Sequence, residues 1–218
     1  MTQRQLSQSI TMDMQLLKQY IRKAESEFDR IPPERKVLLF QLTAFVQAGL
    51  KETGKSDLLF ICTHNSRRSH LAQVWAQVAA FHYGIKTINT YSGGTEVTAM
   101  FPMIATTLKK AGLDIQKHGE GNNPVYAIKY HPNEPAIIGF SKTYDDPFNV
   151  QTGFAAVMTC AHADENCPFI PTAASRISLP FEDPKAYDNT LLQEEKYDER
   201  CLDIAREMLF VFSSLNKP

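Results

Sequence analysis

The spacing of apolar positions changes along the chain, and the changes divide it. Between residues 12 and 28, Met14, Leu16, Leu17, Tyr20, Ile21 and Ala24 recur at roughly helical spacing. Pro32 and Pro33 break that pattern, and Pro33 suits the first turn of a second helix, where its missing donor costs nothing. The second helix is predicted to reach about residue 52, with Leu38, Leu39, Leu42, Phe45, Val46 and Leu50 on its apolar side and Gly54 at its end. An amphipathic stripe of this kind normally faces a core. Residues 1–55 therefore read as a helical extension that packs and carries no chemistry.

From residue 57 the pattern is different. Leu58-Leu59-Phe60-Ile61 is a short continuous apolar run of the kind found in buried parallel strands. A polar loop over residues 63–69 leads to a predicted helix over 69–83, with Leu71, Ala72, Trp75, Val78, Ala79 and Phe81 along it and Gly84 as its C-cap. Residues 87–91 read as a second strand leading into Ser92-Gly93-Gly94, and residues 102–111 as a helix stopped by Gly112. Strand, helix, strand, helix is the signature of a parallel α/β sheet. Residues 125–130 and 136–140 flank a Pro- and Asn-containing turn and predict a hairpin within the less regular stretch 122–149. Residues 153–159 form a further core strand ending at Cys160, and residues 176–179 a short strand. A terminal helix is predicted over 193–215, burying Leu202, Ile204, Ala205, Met208, Leu209 and Phe212.

Composition narrows the class. The 218 residues are 43% hydrophobic and 22% charged, as in ordinary soluble globular proteins, and suffice for a full core. A formal net charge of -1 gives no broad pull toward nucleic acid or membrane, so neither is expected as a partner. No apolar run approaches the roughly 20 residues of a membrane span. Residues 1–9 are polar and lack the apolar stretch of a secretory signal, so a cytoplasmic location is expected. The four cysteines, Cys62, Cys160, Cys167 and Cys201, are too sparse for a secreted disulfide scaffold. In a reducing compartment they are candidates for catalysis, redox cycling, metal binding or plain burial. Cys201, on the terminal helix, reads as structural, as do His70, His82, His118 and His131.

The loop after the first strand, Cys62-Thr63-His64-Asn65-Ser66-Arg67-Arg68-Ser69, carries the clearest chemistry. Successive N–H groups in a strand-to-helix turn can point inward as an anion nest, and the helix N-terminus adds unpaired donors. Arg68 can close over the site with a fork suited to the oxygens of a tetrahedral anion. The same field favours a nucleophilic Cys62 thiolate, and Ser69 can donate to its sulfur. Asn65 tolerates the left-handed backbone that a tight loop demands. The expected oxyanion-binding residues are Thr63, His64, Asn65, Ser66, Arg67, Arg68 and Ser69.

This Cys-x5-Arg-Ser loop, with Asn65 three residues after the cysteine, resembles the phosphate loop shared by low-molecular-weight tyrosine phosphatases and thioredoxin-coupled arsenate reductases. The resemblance covers roughly residues 58 to the C-terminus and is weak over about 122–149, which by that resemblance reads as an insertion. It implies a doubly wound four-stranded parallel sheet spanning residues 56–218. It also implies a small oxyanion substrate, arsenate or a phosphate ester, and no cofactor or metal. Two positions depart from the family, which usually has Gly in place of His64 and often Cys in place of Arg67. Arg67 is expected to point to solvent, the alternative being a second positive charge near the anion.

A leaving oxygen needs a proton. Asp183-Pro184, in a loop after a short strand, offers a carboxylic acid; Asp-Pro also occurs in ordinary turns, and Asp146-Pro147 repeats it. The resemblance favours Asp183, since both families carry an acidic Asp-Pro downstream of the core strands. Lys185 and Ala186 follow it, as in the reductases, in place of the substrate-framing tyrosines of the phosphatases, although Tyr187 is close by.

Cys160 and Cys167 are seven positions apart, the first at a strand end and the second after a polar, flexible stretch. Cys160, His162 and Cys167 could also ligate a metal, but the spacing is not a standard zinc pattern. By resemblance, Asn166-Cys167-Pro168 and this spacing imply a relay: Cys160 attacks Cys62 after arsenate has reacted, Cys167 then attacks Cys160, and a thioredoxin-like dithiol reduces the product. An arsenate reductase is thus the leading expectation. The alternatives are a phosphatase with an idle cysteine pair and an inactive oxyanion-binding module docked through its N-terminal helices.

Overall fold

A computed structural model describes residues 13–167 and 169–215 of the chain. Helix α1 (Met14–Glu25) is capped by Asp13, whose carboxylate accepts from the Gln15 and Leu16 N–H groups at 3.1 and 3.0 Å. The expected start at Met12 lies outside the described residues. The helix ends before Phe28, which opens a short 3-10 turn (Phe28–Arg30) ahead of the two prolines. Helix α2 (Pro33–Thr53) begins on Pro33 and ends on Gly54, whose φ of 75° is the left-handed conformation that a C-cap glycine supplies.

The remaining elements follow as β1 (Ser56–Cys62), α3 (Arg68–His82), β2 (Ile88–Gly94), α4 (Pro102–Lys110), β3 (Asp114–His118), β4 (Val125–Lys129) and β5 (Ile137–Gly139). Then come β6 (Phe154–Met158), α5 (Ala161–Asn166), β7 (Ala173–Ser178) and α6 (Gln193–Ser213). The expected α/β architecture is present: β2, β1, β6 and β7 form one parallel sheet in that spatial order. The chain steps outward from β1 to β2, then returns to place β6 on the other side of β1. The order therefore reverses between β1 and β6, and the carboxyl ends at such a switch point form the crevice where α/β sheets bind ligands. Cys62 ends β1 and Cys160 follows β6, so the topology carries both sulfurs to that end.

Strand alternation splits the core in two. Leu58, Phe60, Ala155, Val157 and Ile177 join a large core with helices α1–α4 and α6. Leu59, Ile61, Ala156 and Met158 join a smaller one that includes Ala163 of α5 and Ile170. Leu17, Ile21, Leu39, Leu42 and Val46 all belong to the large core, so the N-terminal helices share the core of the sheet. Among the described residues no helix is long and apolar enough to cross a membrane.

Three elements differ from the reading of the sequence. Residues 114–118, unassigned there, form β3, which pairs antiparallel with β4; the hairpin β4–β5 is thereby one side of a three-stranded sheet. Only Ile115 of β3 is buried, so its pattern carried no periodic signal and its pairing came from β4. β7 begins at Ala173, where Ala-Ala-Ser has little β-propensity but β6 supplies the ladder. The polar stretch between Cys160 and Cys167 is not an open loop but the short helix α5. It starts where Cys160 Sγ accepts the Ala163 N–H at 3.3 Å.

Leu42 is fully buried between α2 and the sheet core, whereas Leu16 is 37% exposed. Leu42→Ala is expected to lower stability by about 3 kcal/mol in urea denaturation, and Leu16→Ala by less than about 0.5 kcal/mol. Equal effects would mean that α2 is merely appended to the domain.

Candidate active site

Between Cys62 and α3 the chain makes a tight turn whose carbonyls all point away from its interior. Cys62 O accepts the Thr95 N–H at 3.2 Å, and Thr63 O accepts the Glu96 N–H at 2.8 Å and the Thr95 hydroxyl at 3.2 Å. His64 O accepts the Ser141 and Thr98 hydroxyls at 2.9 and 3.1 Å. Asn65 O accepts from His70 Nε2 at 2.9 Å, Ser66 O from the Phe101 N–H at 3.0 Å, and Arg67 O from the Leu71 N–H at 3.1 Å. Among the described residues, no N–H from Thr63 to Arg68 donates to another protein group. Outward carbonyls and uncommitted amides are the arrangement of an anion nest.

The turn depends on three residue types. Asn65 sits at φ 44°, the left-handed conformation expected of it. Its side chain donates to Ser69 Oγ at 2.8 Å and accepts the Lys142 N–H at 2.9 Å. Since Ser69 accepts from Asn65, its own proton is left for Cys62 Sγ, 3.2 Å away. Gly94 permits the close approach, because a Cβ there would lie 2.7 Å from both Asn65 N and Thr63 O. His70 is fully buried behind the loop, with Nδ1 3.2 Å from Ser92 Oγ. Because a carbonyl only accepts, Nε2 carries the proton toward Asn65 O and Nδ1 accepts from Ser92. Burial, and then the nearby charge of Lys142, push His70 down to about 3, against the opposing pull of the Asn65 bond.

Arg68 turns across the loop. Nη1 donates to Phe181 O at 3.1 Å and Nη2 to Asp183 Oδ2 at 2.6 Å. Its buried Nε has no hydrogen-bond partner among the described residues. Asp183 also accepts the Lys185 N–H at 3.1 Å, capping a 3-10 turn (Pro184–Tyr187). The predicted carboxylic acid is therefore beside the predicted anion-gripping arginine.

The sulfurs fall into two groups. Cys62, Cys160 and Cys167 are buried in the smaller core, and Thr63 Oγ1 lies 3.5 Å from Cys160 Sγ and 3.2 Å from His162 Nδ1. Burial pushes the Cys167 thiol up, an effect opposed by Arg176. Cys201 lies in the large core, accepts the Trp75 indole N–H at 3.2 Å, and is pushed up to about 12 by burial. All four are free thiols. Among the described residues no group of three or more His, Cys, Asp or Glu side chains is placed to hold a metal ion. Of the Asn166-Cys167-Pro168 triplet, Pro168 lies outside the described residues.

Residues 57–128 match the family of low molecular weight phosphotyrosine protein phosphatases. An arsenate reductase of Staphylococcus aureus is 29% identical over 131 residues, 60% of this chain and 79% of that one. An arsenate reductase of Bacillus licheniformis is 27% identical over 143 residues, 66% of this chain and 83% of that one. A solved thioredoxin-dependent arsenate reductase of Corynebacterium glutamicum has a TM-score of 0.40 at 18% identity, covering 89% of this chain and 85% of that one. The chain is thus similar in sequence to the low molecular weight phosphatases over 57–128 and to arsenate reductases over a longer stretch. The stretch matched to the phosphatase family holds Cys62 and Arg68 and stops short of Cys160, Cys167 and Asp183.

Where the chain departs from that family, the two positions behave differently. Arg67 does not face solvent: it is 9% exposed, and its guanidinium lies 4.2 Å from the centre of the Phe101 ring. It donates to Tyr197 OH and to Asp188 Oδ2, each at 2.5 Å, while the Tyr197 hydroxyl donates to Asp188 Oδ1 at 2.6 Å. Its side chain is thus committed to Asp188, not to the anion loop as expected, because a guanidinium so buried needs a carboxylate beside it. The His64 side chain stands at the rim with Nε2 3.4 Å from Glu96 Oε2. Ser92-Gly93-Gly94 was a visible signal for close packing on the loop. His70, Lys142, Asp188 and Tyr197 had none, since their partners are 5, 77, 121 and 130 residues away.

His70 is neutral in the fold and protonates near its ordinary 6.5 when unfolded, so the unfolded chain binds more protons below that pH. Its share of stability is complete above about 6.5 and is lost as the pH falls toward 3. Urea midpoints at pH 7 and pH 5 are expected to show His70→Gln losing about 2 kcal/mol less than the wild type over that interval. Parallel losses would mean that His70 is charged inside the protein.

Proposed function

We propose that this chain is an arsenate reductase, working in a reducing cytoplasm. The observation that carries the reading is the grouping of Cys62, Cys160 and Cys167 in one small core beside the amide-lined loop, with Cys201 apart. Arsenate is gripped by the amides of Thr63–Ser69 and by Arg68, whose buried Nε is still without a partner. An ion held by Arg68 lies within reach of Asp183, which contacts the same guanidinium.

The Cys62 thiolate attacks arsenic(V), and Asp183 protonates the departing oxygen, which leaves as water. The Cys160 thiolate then attacks the Cys62 sulfur. The electron pair of the sulfur–arsenic bond stays on arsenic, which leaves as arsenite, and a Cys62–Cys160 disulfide remains. Cys167 attacks Cys160 and releases Cys62 as a thiolate. The Cys160–Cys167 disulfide is reduced by an external dithiol of the thioredoxin type. Two motions are implied: Cys160 must leave its capping bond to Ala163, and the six-residue helix between the two cysteines must open. A helix that short adds little stability of its own, so opening it is a small demand.

A second reading, hydrolysis of aryl phosphates, draws on the match of residues 57–128 to the phosphotyrosine phosphatases. It uses the same Cys62, Arg68 and Asp183, with water releasing the phosphocysteine and the cysteine pair idle.

Turnover separates the two. Cys160→Ser and Cys167→Ser are each expected to lose thioredoxin-dependent arsenate reduction by at least about 100-fold while any aryl-phosphate hydrolysis is kept. Ser variants that reduce arsenate as fast as the wild type would eliminate the relay.

A further inference from the structure

The segment that carries the acid leaves β7 at Ser178 and runs Leu179-Pro180-Phe181-Glu182-Asp183. Phe181 is its fixed point. Its N–H donates to Thr159 O at 3.1 Å, next to Cys160, and its carbonyl accepts from Arg68 at 3.1 Å. Phe181 is 7% exposed, and the guanidinium of Arg35, on α2, lies 4.7 Å from the centre of its ring. Arg35 is fixed in turn by Glu207 on α6, with Nε 3.0 Å from both carboxylate oxygens and Nη2 2.8 Å from one. Glu27, also in the N-terminal portion, makes a second link to α6 through Arg206 at 3.0 Å.

A buried ion pair is not needed to join two helices, since apolar residues of the same volume often do so as well. A guanidinium can do what those residues cannot: its flat face stacks on an aromatic ring while its edge bonds a carboxylate. Here the ring so covered belongs to the residue whose carbonyl meets Arg68 and which stands two positions before Asp183. We propose that Arg35 is a positioning residue for the acid of this site, holding Phe181 so that Asp183 and Arg68 meet across the bound ion. The N-terminal helices thus act on the chemistry from its far side, and the inference rests on the reading of Cys62, Arg68 and Asp183 given above. A displacement of about 1 Å at Phe181 is enough to misplace a proton donor.

The test is a double-mutant cycle between Arg35 and Asp183. Arg35→Ala is combined with Glu207→Gln, so that no carboxylate is left buried and unpaired, and thermal melting checks that each variant is folded. Rates are read for whichever of arsenate reduction and aryl-phosphate hydrolysis the wild type performs. The paired variant is expected to lower kcat about 10- to 100-fold with little change in KM. Added to Asp183→Asn, it should slow the enzyme no further. Arg35→Lys, which keeps the charge and loses the stacked fork, should recover part of the rate. A folded wild type inert in both assays overturns the reading of the site and this inference with it. An active wild type in which the two losses multiply, or in which the loss falls on KM and not on kcat, overturns this inference alone.

Discussion

The carbonyls of Cys62 through Arg67 are drawn outward by donors elsewhere in the fold, and the loop's amides are turned inward as a result. A peptide plane is rigid, so fixing where its oxygen points also fixes where the next N–H points. The donors come from the strand-end segment 95–98, from Phe101 before α4, from Ser141 after β5, and from His70 on α3. The proposed anion nest is therefore the product of several elements packed around one turn. Burial keeps His70 neutral, with one nitrogen donating to the loop and the other accepting from Ser92.

The adjacent arginines divide the work of attaching this loop to the segment after β7. Arg68 reaches Phe181 and Asp183, the proposed acid. Arg67 reaches Asp188 and Tyr197, five or more positions beyond Asp183, and stacks on Phe101. The short turn from Pro184 to Tyr187 is thereby anchored at both ends to one loop. Buried charges need such partners, because a charge removed from water without one costs several kcal/mol. The same logic extends outward to Arg35, Glu207, Arg206 and Glu27, which join the N-terminal helices to α6 behind the acid.

The sheet separates three of the sulfurs from the fourth. Cys62, Cys160 and Cys167 lie in the smaller core, under a short helix and loops. Cys201 lies in the larger core, where Trp75 donates to its sulfur and burial holds its proton.

The sequence by itself determined the parallel α/β sheet, the helix boundaries marked by Pro33, Gly54, Gly84 and Gly112, and the Cys-x5-Arg loop with its left-handed Asn65. These are local properties: apolar spacing, fixed or permissive backbone angles, and the order of strands and helices are all written in adjacent residues. Only the tertiary structure decided that Arg67 turns inward, that β3 joins the hairpin, that the stretch between Cys160 and Cys167 coils, and that the N-terminal helices press on the acid's neighbour. The two arginine placements depend on partners far along the chain: Asp188 for Arg67, Phe181 and Glu207 for Arg35. Charge pairing, strand pairing and ring stacking act across space, and the spacing of residues in a sequence does not record which distant group will supply the other half.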